Sequence, residues 1–216
     1  EGETPLYRAS DNGHLEIVKL LIASGALLDN ANYEGETPLY RASVNCDLEI
    51  VKVLIASGAL LDEADKYGKT PLYIASRYGH LEIVKVLIAS GALLDQADND
   101  DGVTPLYIAS ESGHLEIVKE LIASGALLDK ANNNGHTPLY IASYDGHLVI
   151  VKVLIASGAL LDNANIDGET PLFIASYRGH LEIVKMLIAS GALLDEANNE
   201  GETPLYRASD NGHLEI

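Results

Sequence analysis

The chain is poor in cysteine, in basic residues and in long apolar runs. Cys46 is the only cysteine among 216 residues, so an internal disulfide is excluded, and a reducing compartment fits the sequence without being required by it. The longest apolar runs, such as residues 53–56, are far shorter than the ~20 residues that span a bilayer. No signal peptide or lipidation motif occurs, and we expect no membrane association.

Acidic residues outnumber basic residues by 32 to 14, which gives a formal net charge of −18. A surface of this charge repels the phosphates of nucleic acids and the headgroups of anionic lipids, so we expect neither as a partner. Two explanations of the acidic excess remain open. It serves solubility alone, or it favours a basic protein partner.

One motif recurs along the whole chain. Thr-Pro-Leu followed by Tyr or Phe begins at seven positions, which are Thr4, Thr37, Thr70, Thr104, Thr137, Thr170 and Thr203. The spacing is 33 residues, except for 34 between Thr70 and Thr104. A fixed period of this size indicates a protein built from stacked repeats. Six whole repeats and a truncated seventh fill residues 1–216, so we predict a single elongated domain.

The residue pattern within a repeat predicts two helices and a turn. Thr4 is suited to cap a first helix, and Pro5 suits its first position, where the missing N–H would be unpaired in any case. Gly13 supplies the permissive backbone that ends this helix. The polar residues 29–36 predict a hairpin-like turn before the next repeat.

The second helix of each repeat carries an apolar face. In the first repeat, Val18, Leu21 and Ile22 follow the spacing of a buried helical stripe. Ile17 and Leu20 widen this stripe, which predicts a helix packed on both sides. One repeat cannot bury such a helix alone, and stacking of neighbouring repeats buries it.

This pattern resembles the ankyrin repeat, whose signature is Thr-Pro-Leu-His-x-Ala with a period of 33 residues. The chain departs from the signature in having Tyr, or once Phe173, in place of His, and in having Asp29 and its equivalents where the family usually has Asn. The resemblance implies an all-α solenoid that acts as a non-catalytic protein–protein interaction scaffold. In this family the turn tips and the first helices line one concave face, which is the usual partner surface.

The repeats differ mainly in their turns and in the two residues after Ala-Ser. The varied positions are similar to those of designed ankyrin-repeat binders, and the resemblance implies a partner surface there. Its predicted members are Tyr33, Glu36, Tyr67, Lys69, Arg77, Tyr78, Val103, Glu111, Ser112, His136, Tyr144, Asp145, Glu169, Tyr177 and Arg178. Five of the eleven tyrosines fall at such positions, which favours binding, and neutral drift of exposed residues is the alternative.

No catalytic, metal or cofactor site is predicted. The sequence lacks a Gly-rich phosphate loop and a nucleophile elbow. Six of seven histidines follow the turn Gly of a repeat and therefore lie at least ~8–10 Å apart in a stack, which is too far to share one zinc ion. We predict instead that these histidines form hydrogen bonds to the neighbouring repeat.

Three positions interrupt the regular pattern. The turn at residues 99–101 contains the one inserted residue, and we interpret it as a tolerated surface insertion. Cys46 replaces the turn Gly of its repeat, which predicts a strained or reshaped turn around a passive thiol. Val149 replaces a Glu and adds an apolar spot to a second helix.

Residues 1–17 and 200–216 are identical in sequence, including the variable positions. Recent duplication within a longer array, an engineered segment and head-to-tail assembly are three explanations that remain open. Neither end shows a capping repeat with a polar outer face, which solenoids usually need for solubility. The alternative function is therefore a structural segment of a long elastic or head-to-tail assembling array.

Overall fold

The structure, a computed structural model, describes residues 2–213 and 215–216. Glu1 and Leu214 belong to the predicted 1–216 domain but lie outside the described residues. Within the described part there are thirteen α-helices and no β-strand. The chain divides into two compact units, Glu1–Asp100 (unit 1) and Asp101–Ile216 (unit 2), and the division falls at the inserted residue. Both units are all-α, in agreement with the predicted fold class.

Each unit is built from helix pairs, in which a first helix begins at a proline and a second helix begins at a leucine. Unit 1 contains α1 Pro5–Asp11, α2 Leu15–Ala23, α3 Pro38–Val44, α4 Leu48–Ala56, α5 Pro71–Tyr78 and α6 Leu81–Ala89. Unit 2 contains α7 Pro105–Glu111, α8 Leu115–Ala123, α9 Pro138–Tyr144, α10 Leu148–Ala156, α11 Pro171–Arg178, α12 Leu181–Ala189 and α13 Pro204–Asp210.

Within each unit the helices form two layers. In unit 1 the first helices pack in order, α1 on α3 and α3 on α5, while α2, α4 and α6 form a second row. Unit 2 repeats this arrangement with α7, α9, α11 and α13 in one row and α8, α10 and α12 in the other. Each first helix except α13 also packs on its own second helix, so the apolar core lies between the rows.

Threonine caps start the first helices as predicted. Oγ1 of Thr37 accepts a hydrogen bond from the backbone N–H of Tyr40 at 3.2 Å, and Thr70 accepts one from Tyr73 at 3.1 Å. Each capping bond satisfies one of the N–H groups that a helix start leaves unpaired, while the following proline has no N–H to satisfy.

The prediction for the second helix of the first repeat was only partly right. Val18 is fully buried, but Ile17 is 48% exposed and Leu20 is 66% exposed. The equivalent of Ile17 in the next repeat, Ile50, is 2% exposed, because α4 has α2 packed beside it on that side. Burial of this stripe is thus a property of neighbouring repeats, and α2 has such a neighbour on one side only within the described residues.

Aspartate side chains link successive second-helix turns. Oδ1 of Asp29 accepts a hydrogen bond from the backbone N–H of Leu60 at 2.9 Å, and Asp62 does the same for Leu93 at 2.9 Å. In unit 2 the same bond joins Asp162 to Leu193 at 2.9 Å. We call this contact the aspartate rung. It gives the Asp that departs from the ankyrin signature a structural role.

The long turns are held by a second set of contacts. Oδ1 of Asn32 accepts hydrogen bonds from the N–H groups of Glu34 and Glu36 at 2.9 and 3.0 Å, which closes the turn. The backbone N–H of Lys66 then donates to the carbonyl of Glu34 at 2.7 Å and joins one turn to the next. These bonds confirm a hairpin-like turn that projects from the helices.

Two properties of the described residues bear on function. No helix in residues 2–213 and 215–216 is long and apolar enough to cross a membrane. Over the same residues, no group of three or more His, Cys, Asp or Glu side chains is arranged to hold a metal ion.

Candidate partner-binding surface

The predicted partner-binding residues occupy two kinds of position. The helix-end positions lie at the last residues or the C-cap of first helices, and they are Arg77, Tyr78, Glu111, Ser112, Tyr144, Asp145, Tyr177 and Arg178. The turn-tip positions lie in the turns before first helices, and they are Tyr33, Glu36, Tyr67, Lys69, Val103, His136 and Glu169. Unit 1 and unit 2 each carry both kinds.

Most of the helix-end positions are open to solvent. Tyr144 and Tyr177 are half-buried, and the other six residues are exposed. They stand where the first helix stops, because a residue with positive φ follows, such as Gly79 at φ 79°. Within each unit the helix ends are carried by first helices that pack side by side, which holds their side chains on a rigid support.

The turn tips of unit 1 gather tyrosine and both signs of charge. Tyr33 is 79% exposed at the tip of its turn. The Nζ atoms of Lys66 and Lys69 lie 4.9 and 5.0 Å from the centre of the Tyr67 ring, within the range of a cation–π contact. Lys66 also pairs with Glu34 of the preceding turn. Lys66 and Lys69 are therefore engaged locally.

Glu36 has a structural role. One of its carboxylate oxygens accepts from the Tyr7 hydroxyl at 2.8 Å and from Asn32 Nδ2 at 2.8 Å. Its other oxygen lies 3.6 Å from the Arg41 guanidinium. Burial and the bond to Glu36 raise the pKa of Tyr7. Tyrosine at the His position of the ankyrin signature thus ties its first helix to the following turn.

Glu169 repeats this arrangement in unit 2. It accepts from the Tyr140 hydroxyl at 2.8 Å and from Asn165 Nδ2 at 3.0 Å. His136 stacks on Tyr140, with ring centres 4.3 Å apart and planes within 2°. Burial lowers the pKa of His136 despite the nearby carboxylates of Glu169 and Asp167.

Val103 does not fit the expectation of an exposed contact residue. Its side chain is only 7% exposed. Glu36, His136 and Glu169, which precede the capping threonine in other repeats, are all half-buried. An apolar side chain at this half-buried position turns inward, because burial removes its surface from water.

The predicted histidine contacts are confirmed at four positions. Nε2 of His80 lies 3.1 Å from the carbonyl oxygen of Val44, and Nε2 of His147 lies 2.9 Å from that of Glu111. His180 and His213 make the same contact with Tyr144 and Tyr177 at 3.0 and 3.1 Å. These histidines fix the ends of first helices one repeat before them.

The helix ends of unit 2 form a cleft of about 400 Å³, which we call the helix-end cleft. It is lined by Tyr144, Asp145, Tyr177, Arg178, His180 and Asn211. Four of these six residues were predicted as partner-binding residues from the sequence. The Arg178 guanidinium lies 4.0 Å from the centre of the Tyr144 ring, and the Arg207 guanidinium lies 5.0 Å from that of Tyr177.

Sequence reasoning missed several residues of this surface. Arg41 and Asp11 form an ion pair with Nη2 and Oδ1 2.7 Å apart, and Asn211 lines the helix-end cleft. The sequence alone could have drawn attention to Arg41, because an isoleucine occupies the equivalent position in four other repeats. Asn211 could have been found from its equivalence to Asp145 and Arg178.

Comparisons with known proteins give one consistent family. The family model described as ankyrin repeats (3 copies) matches residues 1–65, 27–98, 92–165 and 159–216, which together cover the chain. The crystal structure of the ankyrin repeat domain of Bcl-3, a unique member of the IkappaB protein family, is similar at 30% identity and a TM-score of 0.86. That likeness covers 96% of this chain and 95% of the Bcl-3 domain.

No curated protein sequence matches this chain. The family model nevertheless matches well over half of the chain, and the first and second helices follow the order of the ankyrin repeat throughout both units. Ankyrin-repeat proteins are generally protein–protein interaction scaffolds and are typically non-catalytic. The chain belongs to the ankyrin-repeat family.

Proposed function

We propose that the chain is a non-catalytic scaffold that binds a protein partner through its helix-end and turn-tip positions, the side that is concave in the ankyrin family. The observation that carries this proposal is the contrast between constant and varied residues. First helices share Pro-Leu-Tyr or Pro-Leu-Phe and Ala-Ser, while the helix-end residues that follow are mostly exposed and differ from repeat to repeat.

The chemistry of these positions favours a protein surface as the ligand. Tyr67, Tyr78, Tyr144 and Tyr177 offer large contact areas at a low cost in side-chain entropy. Tyrosine and arginine are also the residue types that carry much of the energy in protein interfaces. The net charge of −18 favours a partner with a basic surface, because complementary charge speeds association and opposes wrong partners.

A displayed library of random peptides, selected on the full chain, tests the proposal. Selected peptides are measured against a variant with Tyr78, Tyr144 and Tyr177 replaced by Ala, and we expect at least tenfold weaker binding. The control variant replaces Leu60 and Leu160, exposed apolar residues in the turns after second helices, by Ser and should bind as the wild type does.

Two results would refute the proposal. One is the selection of peptides that bind the tyrosine variant as tightly as the wild type. The other is a selection that enriches no peptide above an unrelated acidic protein. Circular dichroism confirms in each case that the variant retains its helices, which the positions of the three tyrosines at helix ends should allow.

A second candidate function is head-to-tail assembly with further copies of this chain. Ile17 is 48% exposed and Leu205 is 60% exposed, whereas their equivalents Ile50 and Leu172 are at most 2% exposed. An apolar hollow of about 250 Å³ lies beside Leu205. The stacking of internal repeats offers a geometry by which a second copy would cover both exposed sites.

Light scattering coupled to size exclusion, with reductant present, distinguishes this candidate. Assembly predicts a mass that grows with concentration and a return to one chain mass when Ile17 is replaced by Glu. A constant mass of one chain over the whole concentration range would exclude it.

A further inference from the structure

The helix-end cleft has one carboxylate among its lining residues, that of Asp145. The carboxylate of Asp145 makes no ion pair or side-chain hydrogen bond within the described residues, although Arg178, His147 and His180 lie near enough to influence it. Desolvation raises the pKa of Asp145, and these three neighbours oppose that effect. A partly desolvated carboxylate of this kind is stabilised when a cation comes into contact with it.

The tyrosines of the helix-end cleft already hold cations. Tyr144 has the Arg178 guanidinium 4.0 Å from its ring centre, and Tyr177 has the Arg207 guanidinium 5.0 Å from its ring centre. Both distances lie within the range of cation–π attraction. The walls of the cleft therefore suit an aliphatic stem that ends in a positive charge, of the kind that lysine and arginine carry.

Arg178 is the one arginine or lysine among the residues that line the cleft, and its charge opposes such a ligand. Its position is fixed, because the guanidinium stacks on Tyr144 and Nε donates to the Tyr144 carbonyl at 3.5 Å. Its terminal nitrogens have no acceptor among the described residues, and they can donate to a carbonyl oxygen of an incoming peptide. Unit 2 as a whole has 16 acidic and 6 basic residues, a net charge of −10, which attracts a cation over a longer range.

We propose that the helix-end cleft binds a lysine or arginine side chain of the protein partner, with the cation paired to Asp145 and a backbone carbonyl of the partner accepting from Arg178. This proposal rests on the proposed function, since it assigns one anchor within the partner-binding face. It adds the class of side chain that the cleft recognises and the residue that recognises it.

The chain provides its own replacement for Asp145. Asn12, Asn45 and Asn211 occupy the equivalent position in other repeats, so Asp145→Asn is compatible with the fold. Asp167→Asn is the matched control, because Asp167 is an exposed acid of the same unit outside the cleft, and Asn134 is its equivalent one repeat earlier. Both variants remove one negative charge, so a general effect of net charge appears equally in each.

The test uses two five-residue peptides, capped at both ends, with the sequence Gly-Ser-X-Ser-Gly. X is lysine in one and norleucine, which keeps the stem but lacks the charge, in the other. We titrate each into the isotopically labelled full chain and follow the resonances by NMR. We expect the lysine peptide to shift Tyr144, Asp145, Tyr177 and Arg178 and to bind about tenfold tighter than the norleucine peptide.

In Asp145→Asn this preference should be lost, whereas Asp167→Asn should keep it. Equal binding of the two peptides by the wild type, a preference unchanged in Asp145→Asn, or shifts confined to residues outside the cleft would overturn the inference.

Library-selected peptides distinguish this failure from failure of the proposed function. If the selected peptides bind the tyrosine variant more weakly but bind Asp145→Asn as tightly as the wild type, the partner-binding face stands and the cation site is refuted. If the selected peptides bind the tyrosine variant as tightly as the wild type, the partner-binding face itself is refuted.

Discussion

Tyr40 donates a hydrogen bond from its hydroxyl to Oδ2 of Asp65 at 3.0 Å, and this bond joins one repeat to the turn that ends it. Asp65 is only 9% exposed, and its other oxygen accepts from the N–H groups of Tyr67 and Lys69 at 2.9 Å each. Burial and the negative charge of Asp65 raise the pKa of Tyr40 far above its usual range, so the hydroxyl keeps its proton.

Replacing Tyr40 by Phe should lower the free energy of unfolding by about 2 kcal/mol, because Oδ2 of Asp65 is left buried without its donor. Urea denaturation followed by circular dichroism measures the change. Tyr206→Phe is the control, since Tyr206 is 55% exposed and its hydroxyl has no partner within the described residues, and it should change stability by less than about 0.5 kcal/mol. Equal effects of the two substitutions would contradict the role of the Tyr40–Asp65 bond.

The aspartate rung predicts that replacing an aspartate lowers the free energy of unfolding only where that aspartate forms a rung. Asp162→Ala should lower stability by about 1 kcal/mol, because the Leu193 N–H loses the acceptor that lies 2.9 Å away. Asp195→Ala should have little effect, since Asp195 holds no such rung within the described part of the chain. Denaturant curves for both variants test this prediction. A loss of stability in Asp195→Ala that equals or exceeds the loss in Asp162→Ala would show that the rung is not the source of the effect.

The ion pair of Asp11 and Arg41 predicts a dependence of stability on pH. Burial opposes the charge on Asp11, but the Arg41 guanidinium and the Asn45 amide outweigh it and lower the pKa of the carboxyl group. A carboxylate whose folded-state pKa is lowered stabilises the fold above the unfolded-state value of about 3.9, and this contribution is lost as the pH falls through the folded-state pKa. Asp11→Asn should therefore cost about 1 kcal/mol at pH 7 and close to nothing near pH 2.

Denaturant curves at several pH values between these limits measure the effect. Asp210→Asn is the matched control, because residues 200–216 repeat residues 1–17 letter for letter. Asp210 lies 3.7 Å from Arg207 of its own helix and is 55% exposed, so its loss should cost little at any pH. A cost of Asp11→Asn that is the same at pH 7 and pH 2 would refute the ion pair as its origin.

Cys46 is the one non-glycine residue with positive φ among the described residues, at 62°. This conformation costs a side-chain-bearing residue roughly 1–2 kcal/mol, and glycine avoids that cost while losing more chain entropy on folding. Cys46→Gly should therefore raise the free energy of unfolding by about 0.5–1 kcal/mol. Serine at the same position removes the thiol but keeps the side chain, so Cys46→Ser should leave stability nearly unchanged and separates the two effects.

The repeat pattern predicted the helices, their caps and the exposure of the helix ends, because these depend on residues within a few positions of each other. The exposure of residues that face a neighbouring repeat could not be predicted in the same way. The second helices that carry Ile17 and Ile50 differ in sequence at one position, where Leu20 corresponds to Val53, yet Ile17 is exposed and Ile50 is buried. The difference arises from a packed neighbour, which a pattern within one repeat does not contain.

The candidate surface shows the same limit. Its positions were predicted from variation between repeats and from the family resemblance. Glu36 and Glu169 nevertheless proved to be held by the tyrosines of the first helices in their own repeats, and Val103 proved to be buried. The position before the capping threonine is half-buried in other repeats, so Glu36 and Glu169 reach a tyrosine hydroxyl there, whereas Val103 packs inward. The helix-end cleft could not be predicted either, since three successive repeats contribute to its walls.

The donor of the aspartate rung is a backbone N–H in every case, while the acceptor is a side chain of the repeat before it. A repeat that is copied, deleted or exchanged brings its own acceptor, and every following repeat supplies the donor whatever its side chains are. This bond between repeats is consequently independent of the residues that vary, unlike the Asp11–Arg41 ion pair. Mutation can alter the recognition residues, and unequal recombination can change the number of repeats, without either process having to restore the aspartate rung between neighbours.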